Sequence, residues 1–209
     1  MSDYVWVSTM MLDSALIKLF DADIVEENRP VAVAATDAIP RGEPVPADHC
    51  PRYVWARRGS SKVKDRSVPP PLFVARGYWI MNSAAADVLR QFDLGAGALY
   101  PVEVRKSDAS TPFEGEWYTW IFGNQKETAN FEASIGLRAF SSMPDDPWRK
   151  LPFKPANGDL AVSREALEGA DVWVEKNLFQ SVFVSGALGN TLKSAGLAKA
   201  FRLAKARVV

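Results

Sequence analysis

The fold of this 209-residue chain is decided by the stretch FVARGYWIMNSAAADVLRQF, residues 73–92. Its first ten residues are mostly apolar and rich in aromatic and β-branched side chains, which is typical of a strand. Ser83 is a favourable helix N-cap, and Val88 and Leu89 then fall on one face of a helix. Residues 100–104, YPVEV, follow as another β-rich run. This part of the chain therefore predicts a strand, a helix and a second strand.

A second copy of this pattern lies near the end of the chain. Residues 181–184, SVFV, predict a strand, Ser185 is a favourable N-cap, and Gly196 stops the helix that follows. Residues 201–203 then predict another strand. Two units are too few to stack as a solenoid, so they predict a pseudo-symmetric domain built from two strand–helix–strand units.

Apolar segments outside these units complete the prediction of the fold. Strands are predicted at residues 4–9, 53–56, 116–122, 160–162 and 171–175. Asp13 is predicted to cap a short helix whose apolar stripe is Leu16, Ile17, Leu19 and Phe20. The fold class predicted from all these elements is α+β, with mixed, mostly antiparallel sheets.

Proline is concentrated in one part of the chain. Eight of the 14 prolines lie between Pro30 and Pro71. Since proline is excluded from regular core elements, this region is predicted to be an extended arm. We therefore expect residues 1–70 to form an N-terminal strand, a helix and a proline-rich arm packed on a main α+β domain of residues 71–209.

The composition excludes several classes of protein. Lys plus Arg and Asp plus Glu number 25 each, so no global field attracts the chain to nucleic acid or anionic lipid. Cys50 is the only cysteine, which prevents an intrachain disulfide and favours the cytoplasm. His49 is the only histidine, which removes metal sites that need several imidazoles. No run of about 18 apolar residues occurs, and we expect no cofactor, metal or membrane partner.

Candidate catalytic groups are few. His49 and Cys50 are neighbours in an extended segment, so their side chains are expected to point to opposite faces. Paired acids occur at Asp145-Asp146 and, with the spacing of one strand face, at Glu114 and Glu116. An enzyme or small-ligand protein would use some of these carboxylates in a cleft between the two units. Solvated acids of this kind are common, so the pairs indicate no particular reaction.

A basic loop and the tryptophans suggest contacts with macromolecules. Residues 57–66 carry five cations and one acid, which would suit nucleic acid, but the chain lacks a recognition helix or an aromatic RNA-binding strand motif. Of the seven tryptophans, three lie in apolar strands and are predicted to be core, namely Trp6, Trp79 and Trp173. The others have polar or loop-rich neighbours, namely Trp55, Trp117, Trp120 and Trp148. Trp117 and Trp120 have opposite parity on one strand, so at most one of them points into a single core.

Several segments in order resemble a family of immunity proteins from bacterial polymorphic toxin systems, immunity family eleven, formerly a domain of unknown function. They are FVARGYWIMNS (73–83), YPVEV (100–104), FEGEWY (113–118), DVW (171–173) and VFVS (182–185). The resemblance covers residues 72–206. It implies an α+β protein of the cytoplasm that is not an enzyme and that binds the catalytic domain of a cognate toxin effector and blocks it.

The resemblance indicates a role but no site, so candidate contact residues are taken from loops and exposed aromatic positions. For a basic toxin surface we predict contacts from Trp117, Trp120, Asp145, Asp146 and Trp148. For an acidic one we predict contacts from Arg57 and Arg58. The sequence leaves self-association open.

Overall fold

A computed structural model describes residues 4–57, 68–143 and 145–209. It confirms an α+β fold with mixed sheets. The strands are β1 (Tyr4–Ser8), β2 (Phe20–Ala22), β3 (Tyr53–Ala56), β4 (Leu72–Ala75), β5 (Tyr78–Asn82), β6 (Ala98–Arg105), β7 (Trp117–Ile121), β8 (Gln125–Lys126), β9 (Ala129–Asn130), β10 (Arg138–Ala139), β11 (Arg149–Lys150), β12 (Ala161–Val162), β13 (Val172–Glu175), β14 (Leu178–Phe179), β15 (Val182–Val184) and β16 (Leu203–Val208). The α-helices are α1 (Asp23–Glu27), α2 (Arg29–Ala38), α3 (Ser83–Leu89), α4 (Gly186–Ser194) and α5 (Ala198–Phe201).

The first sheet has seven strands in the order β8-β13-β15-β1-β16-β12-β9. In its central strands β1 and β15 every position except Tyr4 is buried, because both faces of the sheet are covered. In β1, Trp6 faces the core that contains α4, whereas Val5 and Val7 face a second core. Leu151 and Leu160, which follow β11, close that second core.

The second sheet has six strands in the order β2-β3-β6-β7-β5-β4, and it curls back on itself. The chain just before β2 reaches the opposite edge of the sheet, where Ile17 forms a bridge with Val74 and the Lys18 N–H donates to the Val74 carbonyl at 2.9 Å. Inside the curl, the rings of Phe20 and Phe73 lie 4.9 Å apart. The Trp117 ring in turn contacts the Phe73 ring, so three aromatic side chains pack together inside the curl.

Each of these two sheets contains one segment in which two strands, joined through a helix, lie on either side of a third strand; a third sheet has the order β10-β11-β14. β5 and β6 flank β7 around α3, and β15 and β16 flank β1 around α4. The two helices pack against each other. The Ser185 hydroxyl accepts from the Leu188 N–H at 3.2 Å, so its predicted cap is confirmed, whereas α3 is capped by Asn82, one residue before the predicted Ser83. The relation of the two units as a pseudo-repeat stays a prediction.

The predicted helix after Asp13 is wrong. Asp13 caps a single 3-10 turn, and the chain is then extended up to Phe20, which begins β2. Ile17 and Leu19 are 64% and 62% exposed, so they form no buried stripe. Pairing of this segment with β3 and β4 outweighs its weak helix propensity.

The first 57 residues contribute to both sheets. β1 lies between β15 and β16, and β2 and β3 extend the six-stranded sheet. Pro30 lies in the first turn of α2, where a missing N–H costs nothing. The predicted arm and the boundary near residue 70 stay predictions.

The side chain of Asn124 links the two sheets. Its Nδ2 donates to the carbonyls of Leu94, Phe122 and Val172 at 2.7, 3.1 and 3.0 Å. Its Oδ1 accepts from the Ala96 N–H at 3.0 Å. Phe122 follows β7 of one sheet and Val172 begins β13 of the other, so one amide holds their ends together.

Candidate functional site

Exposed large apolar side chains are concentrated in one part of the described chain. Five of the eleven lie within residues 135–153, namely Ile135, Phe140, Met143, Trp148 and Phe153. All three exposed aromatic residues belong to this group. Aromatic residues dominate the energetic centre of protein interfaces, so this concentration points to a contact surface.

A hairpin presents two of these aromatic residues side by side. Its strands β10 and β11 are antiparallel, with Arg138 opposite Lys150. The ladder continues into the loop, where the Phe140 N–H donates to the Trp148 carbonyl at 3.0 Å. Directly opposite residues, and residues two apart on one strand, share a face. Arg138, Phe140, Trp148 and Lys150 therefore lie on one side of the hairpin, which we call the hairpin face.

Hydrogen bonds within the loop fix the position of Trp148. The Asp146 carboxylate accepts from the Trp148 N–H at 2.9 Å, and the Asp146 N–H donates to the Met143 carbonyl at 3.2 Å. The Ser141 hydroxyl also bonds to this carboxylate and lowers the pKa of Asp146. Asp146 thus remains ionised at neutral pH and holds the loop closed.

The hairpin is anchored on the body of the protein. β11 pairs in parallel with β14, and the Phe140 ring lies 4.7 Å from the ring of Phe179 in β14. Leu151, which follows β11, is buried in the core below the seven-stranded sheet. The hairpin face is therefore formed before any partner arrives, which reduces the entropy lost on binding.

Two cations frame the aromatic pair. The Lys150 ammonium lies 4.8 Å from the centroid of the Phe140 ring. Among the ion pairs of the described residues, none includes Arg138 or Lys150. Arg149 points elsewhere, since its guanidinium donates to the carbonyls of Asp146 and Trp148.

The structure brings three of the predicted contact residues together. Asp145, Asp146 and Trp148 all lie in the hairpin loop, where Asp145 is exposed and Trp148 is 38% exposed. Trp117 and Trp120 are only 5% and 1% exposed, and their burial corrects the expectation that they meet a partner. They point to opposite faces of β7, but both faces of this central strand are covered, so both side chains belong to the core.

The predicted cationic contacts lie elsewhere. The Arg57 guanidinium holds the Asp21 carboxylate through two hydrogen bonds of 2.7 and 2.8 Å. Arg76 also pairs with Asp21, at 2.9 Å. These bonds, chiefly that from Arg57, lower the pKa of Asp21. Arg58 and the remainder of the basic loop lie outside the described residues.

Sequence reasoning missed Phe140, Met143 and the two framing cations. The sequence contained part of the signal, because a cation and an aromatic residue lie on each side of the Pro-Asp-Asp-Pro segment. Arg138 and Phe140 are two residues apart, as are Trp148 and Lys150. The register that brings these pairs together depends on pairing of only two residues in each strand, which is too short for a period-two pattern to be recognised.

The acids that were candidates for an enzymatic cleft do not line a common groove. Glu116 lines a shallow groove of about 460 Å³ with Arg52 and Glu103, and neither Asp145 nor Asp146 is part of it. The Tyr118 hydroxyl donates to the Glu116 carboxylate at 2.9 Å. β7 begins at residue 117, so the expectation that Glu114 and Glu116 share a strand face is wrong.

The neighbouring histidine and cysteine form no catalytic pair in the folded chain. Cys50 is buried, and its thiol lies 3.6 Å from the Pro46 carbonyl. Burial, with a smaller contribution from Asp48, raises the pKa of Cys50 to about 12, so the thiol is not ionised at neutral pH. Across the part of the chain that the structure describes, no three His, Cys, Asp or Glu side chains are grouped as metal ligands. No described helix has the length and apolar character needed to cross a bilayer.

Fold and surface together define an α+β protein that presents a preformed aromatic and cationic face. Comparison with family models then identifies its family. The model of the Immunity protein family (Imm11) matches residues 40–206, and the chain belongs to this family. The match confirms the resemblance found over residues 72–206 and extends it to residue 40. It includes the whole hairpin. Curated proteins give no match to the chain.

Proposed function

We propose that this chain neutralises a cognate bacterial toxin effector by binding its catalytic domain one to one and covering the active site. Membership of an immunity protein family supports this role. The observation that carries the proposed site is the pair of exposed aromatic residues, Phe140 and Trp148, on a hairpin held rigidly against the core. The chain would act in the cytoplasm of the toxin-producing cell without a cofactor, a membrane or nucleic acid.

The geometry suits insertion into a pocket. Phe140 and Trp148 are 39% and 38% exposed, so each side chain is partly enclosed by the protein and partly open to a partner. An anchor of this kind loses little conformational entropy on binding. A stable protein complex buries about 1,200–2,000 Å² in total, so the hairpin face would form the centre of the interface and neighbouring loops its rim.

Removing both rings is expected to weaken toxin binding severely. Truncation of a central aromatic anchor costs about 2 kcal/mol or more, so the variant carrying Phe140→Ala and Trp148→Ala should lose affinity by about 100-fold or more. Binding is measured by calorimetry with the purified toxin domain encoded beside this gene, and protection is measured as growth of cells that express that toxin.

Val33→Ala is the control for this experiment. Val33 is also exposed, but it lies on α2, outside the residues that the family model matches. The control should bind and protect as the unmodified chain does, and all variants should keep the same thermal unfolding midpoint within a few degrees. Normal binding by the double alanine variant would remove the hairpin face from the interface.

A further inference from the structure

We infer that the surface of the toxin that meets the hairpin face is acidic and places carboxylates opposite Arg138 and Lys150. This inference rests on the proposed function and names the chemistry of the partner. The sequence left two expectations open, a basic surface facing Asp145 and Asp146 and an acidic surface facing Arg57 and Arg58. The inference takes the acidic surface and assigns its contacts to other cations. The reason is which charged side chains of the hairpin already have partners within the folded chain.

The acids of the hairpin are either used internally or lie away from the aromatic pair. The Asp146 carboxylate holds the loop through Ser141 and the Trp148 N–H. Asp145 lies in the loop, on the turn side of the Phe140–Trp148 pair. Arg138 and Lys150 form the directly opposite pair on the strand side. The cations are therefore the charges that the hairpin face leaves without a carboxylate.

Covering the aromatic pair forces the Lys150 ammonium out of water. The Lys150 ammonium lies over the Phe140 ring, so a partner that contacts Phe140 also desolvates Lys150. An ammonium that loses its water without gaining a counter-charge costs several kcal/mol. A tight complex through this face therefore requires an acceptor from the partner, and a carboxylate supplies the charge as well as the hydrogen bonds.

A protein partner fits these features better than nucleic acid. The Phe140 ring already contacts Phe179 and the Lys150 ammonium, which reduces the part of it that is open to a stacking base. The chain has no net charge, and two cations fall short of the several phosphate contacts that give nucleic-acid binding its strength. The cations here serve a local contact with carboxylates.

Charge reversal on the hairpin face tests this inference. The variant Arg138→Glu/Lys150→Glu should bind the purified toxin domain encoded beside this gene at least about 100-fold more weakly than the unmodified chain, with a slower association rate at low salt. The control is Arg164→Glu/Lys199→Glu, which makes the same change in net charge at two exposed positions off the hairpin. It should change affinity less than about threefold. The single variant Arg138→Glu, at an exposed site, should show part of the loss if the double variant is unstable.

The possible outcomes separate this inference from the proposed function. If the unmodified chain binds and the charge-reversed variant binds equally or better, the partner surface is not acidic and the inference is overturned while the proposed function stands. If the unmodified chain does not bind the toxin domain, the proposed function fails and the inference falls with it. Retention of the unmodified chain on heparin with a steep salt dependence that the Arg138→Glu/Lys150→Glu variant loses would assign the face to a polyanion and overturn the inference. Recovery of binding by the charge-reversed variant, when a facing carboxylate of the toxin is changed to lysine, would support it directly.

Discussion

Asn124→Asp is expected to lower the free energy of unfolding by about 3 kcal/mol, since it reverses the polarity of a side chain that joins the two sheets. The amide Nδ2 of Asn124 donates to three backbone carbonyls. A carboxylate at this position would face the same three acceptors without a proton to offer. The ends of β7 and β13 would lose these side-chain hydrogen bonds and gain repulsion in their place, while the backbone bond from the Val174 N–H to the Asn124 carbonyl would remain.

Chemical denaturation near neutral pH measures this loss. At acidic pH the new carboxyl group is protonated and donates one hydrogen bond, so part of the lost stability should return relative to the unmodified chain under the same conditions. Asn190→Asp is the matched control, because Asn190 is exposed on α4 and its amide pairs with the Tyr4 hydroxyl, which can donate to a carboxylate instead. Unfolding free energies equal within about 0.5 kcal/mol for the two variants would show that Asn124 does not link the sheets.

Gly189→Ala is expected to destabilise the fold by about 2–3 kcal/mol, although alanine is the better helix former by about 1 kcal/mol. Gly189 lies on α4 against the indole of Trp6 in β1. A Cβ atom built at Gly189 would be 2.0 Å from Cδ1 and 2.6 Å from Nε1 of Trp6. Gly189 and the Trp6 side chain are both buried, so the helix must move away from the sheet.

Thermal and chemical unfolding of the purified variant measure this effect. Ala187→Ser, at an exposed position of the same helix, should change stability by less than about 0.5 kcal/mol. In a double-mutant cycle, Trp6→Ala removes the ring atoms that clash, so Gly189→Ala should cost less in that background. A Gly189→Ala protein more stable than the unmodified chain would contradict the close packing of α4 on β1.

The strands were the part of the fold that the sequence could predict. Segments such as residues 4–9 and 171–175 have apolar centres rich in valine and tryptophan, and they form buried strands of the seven-stranded sheet, with Trp6 and Trp173 in the core as predicted. Their alternating faces belong to two different cores, which sequence alone does not distinguish. The helix predicted before Phe20 was wrong for a different reason, because the structure of this segment depends on strands β3 and β4, which lie far away in the sequence.

The candidate site was predictable only in part. Asp145, Asp146 and Trp148 could be chosen because they lie in a loop rich in proline. The polar neighbours of Trp117 in the sequence suggest an exposed side chain. Its burial instead depends on Phe73, more than 40 residues earlier, which packs against it on the same side of the sheet. The pairing of Phe140 with Trp148 could not be read from the sequence, since two-residue strands carry too little pattern to fix a register.

Titration of toxin activity with the purified chain tests most directly whether this protein acts by covering its target. The toxin domain is held at a concentration well above the dissociation constant, and its residual activity is measured against the molar ratio of added chain. Stoichiometric binding predicts a linear fall to the baseline at one equivalent, with activity recovered when the complex is dissociated. Complete loss of activity at a small fraction of one equivalent, increasing with time, would show that the chain turns over as an enzyme and would contradict the account.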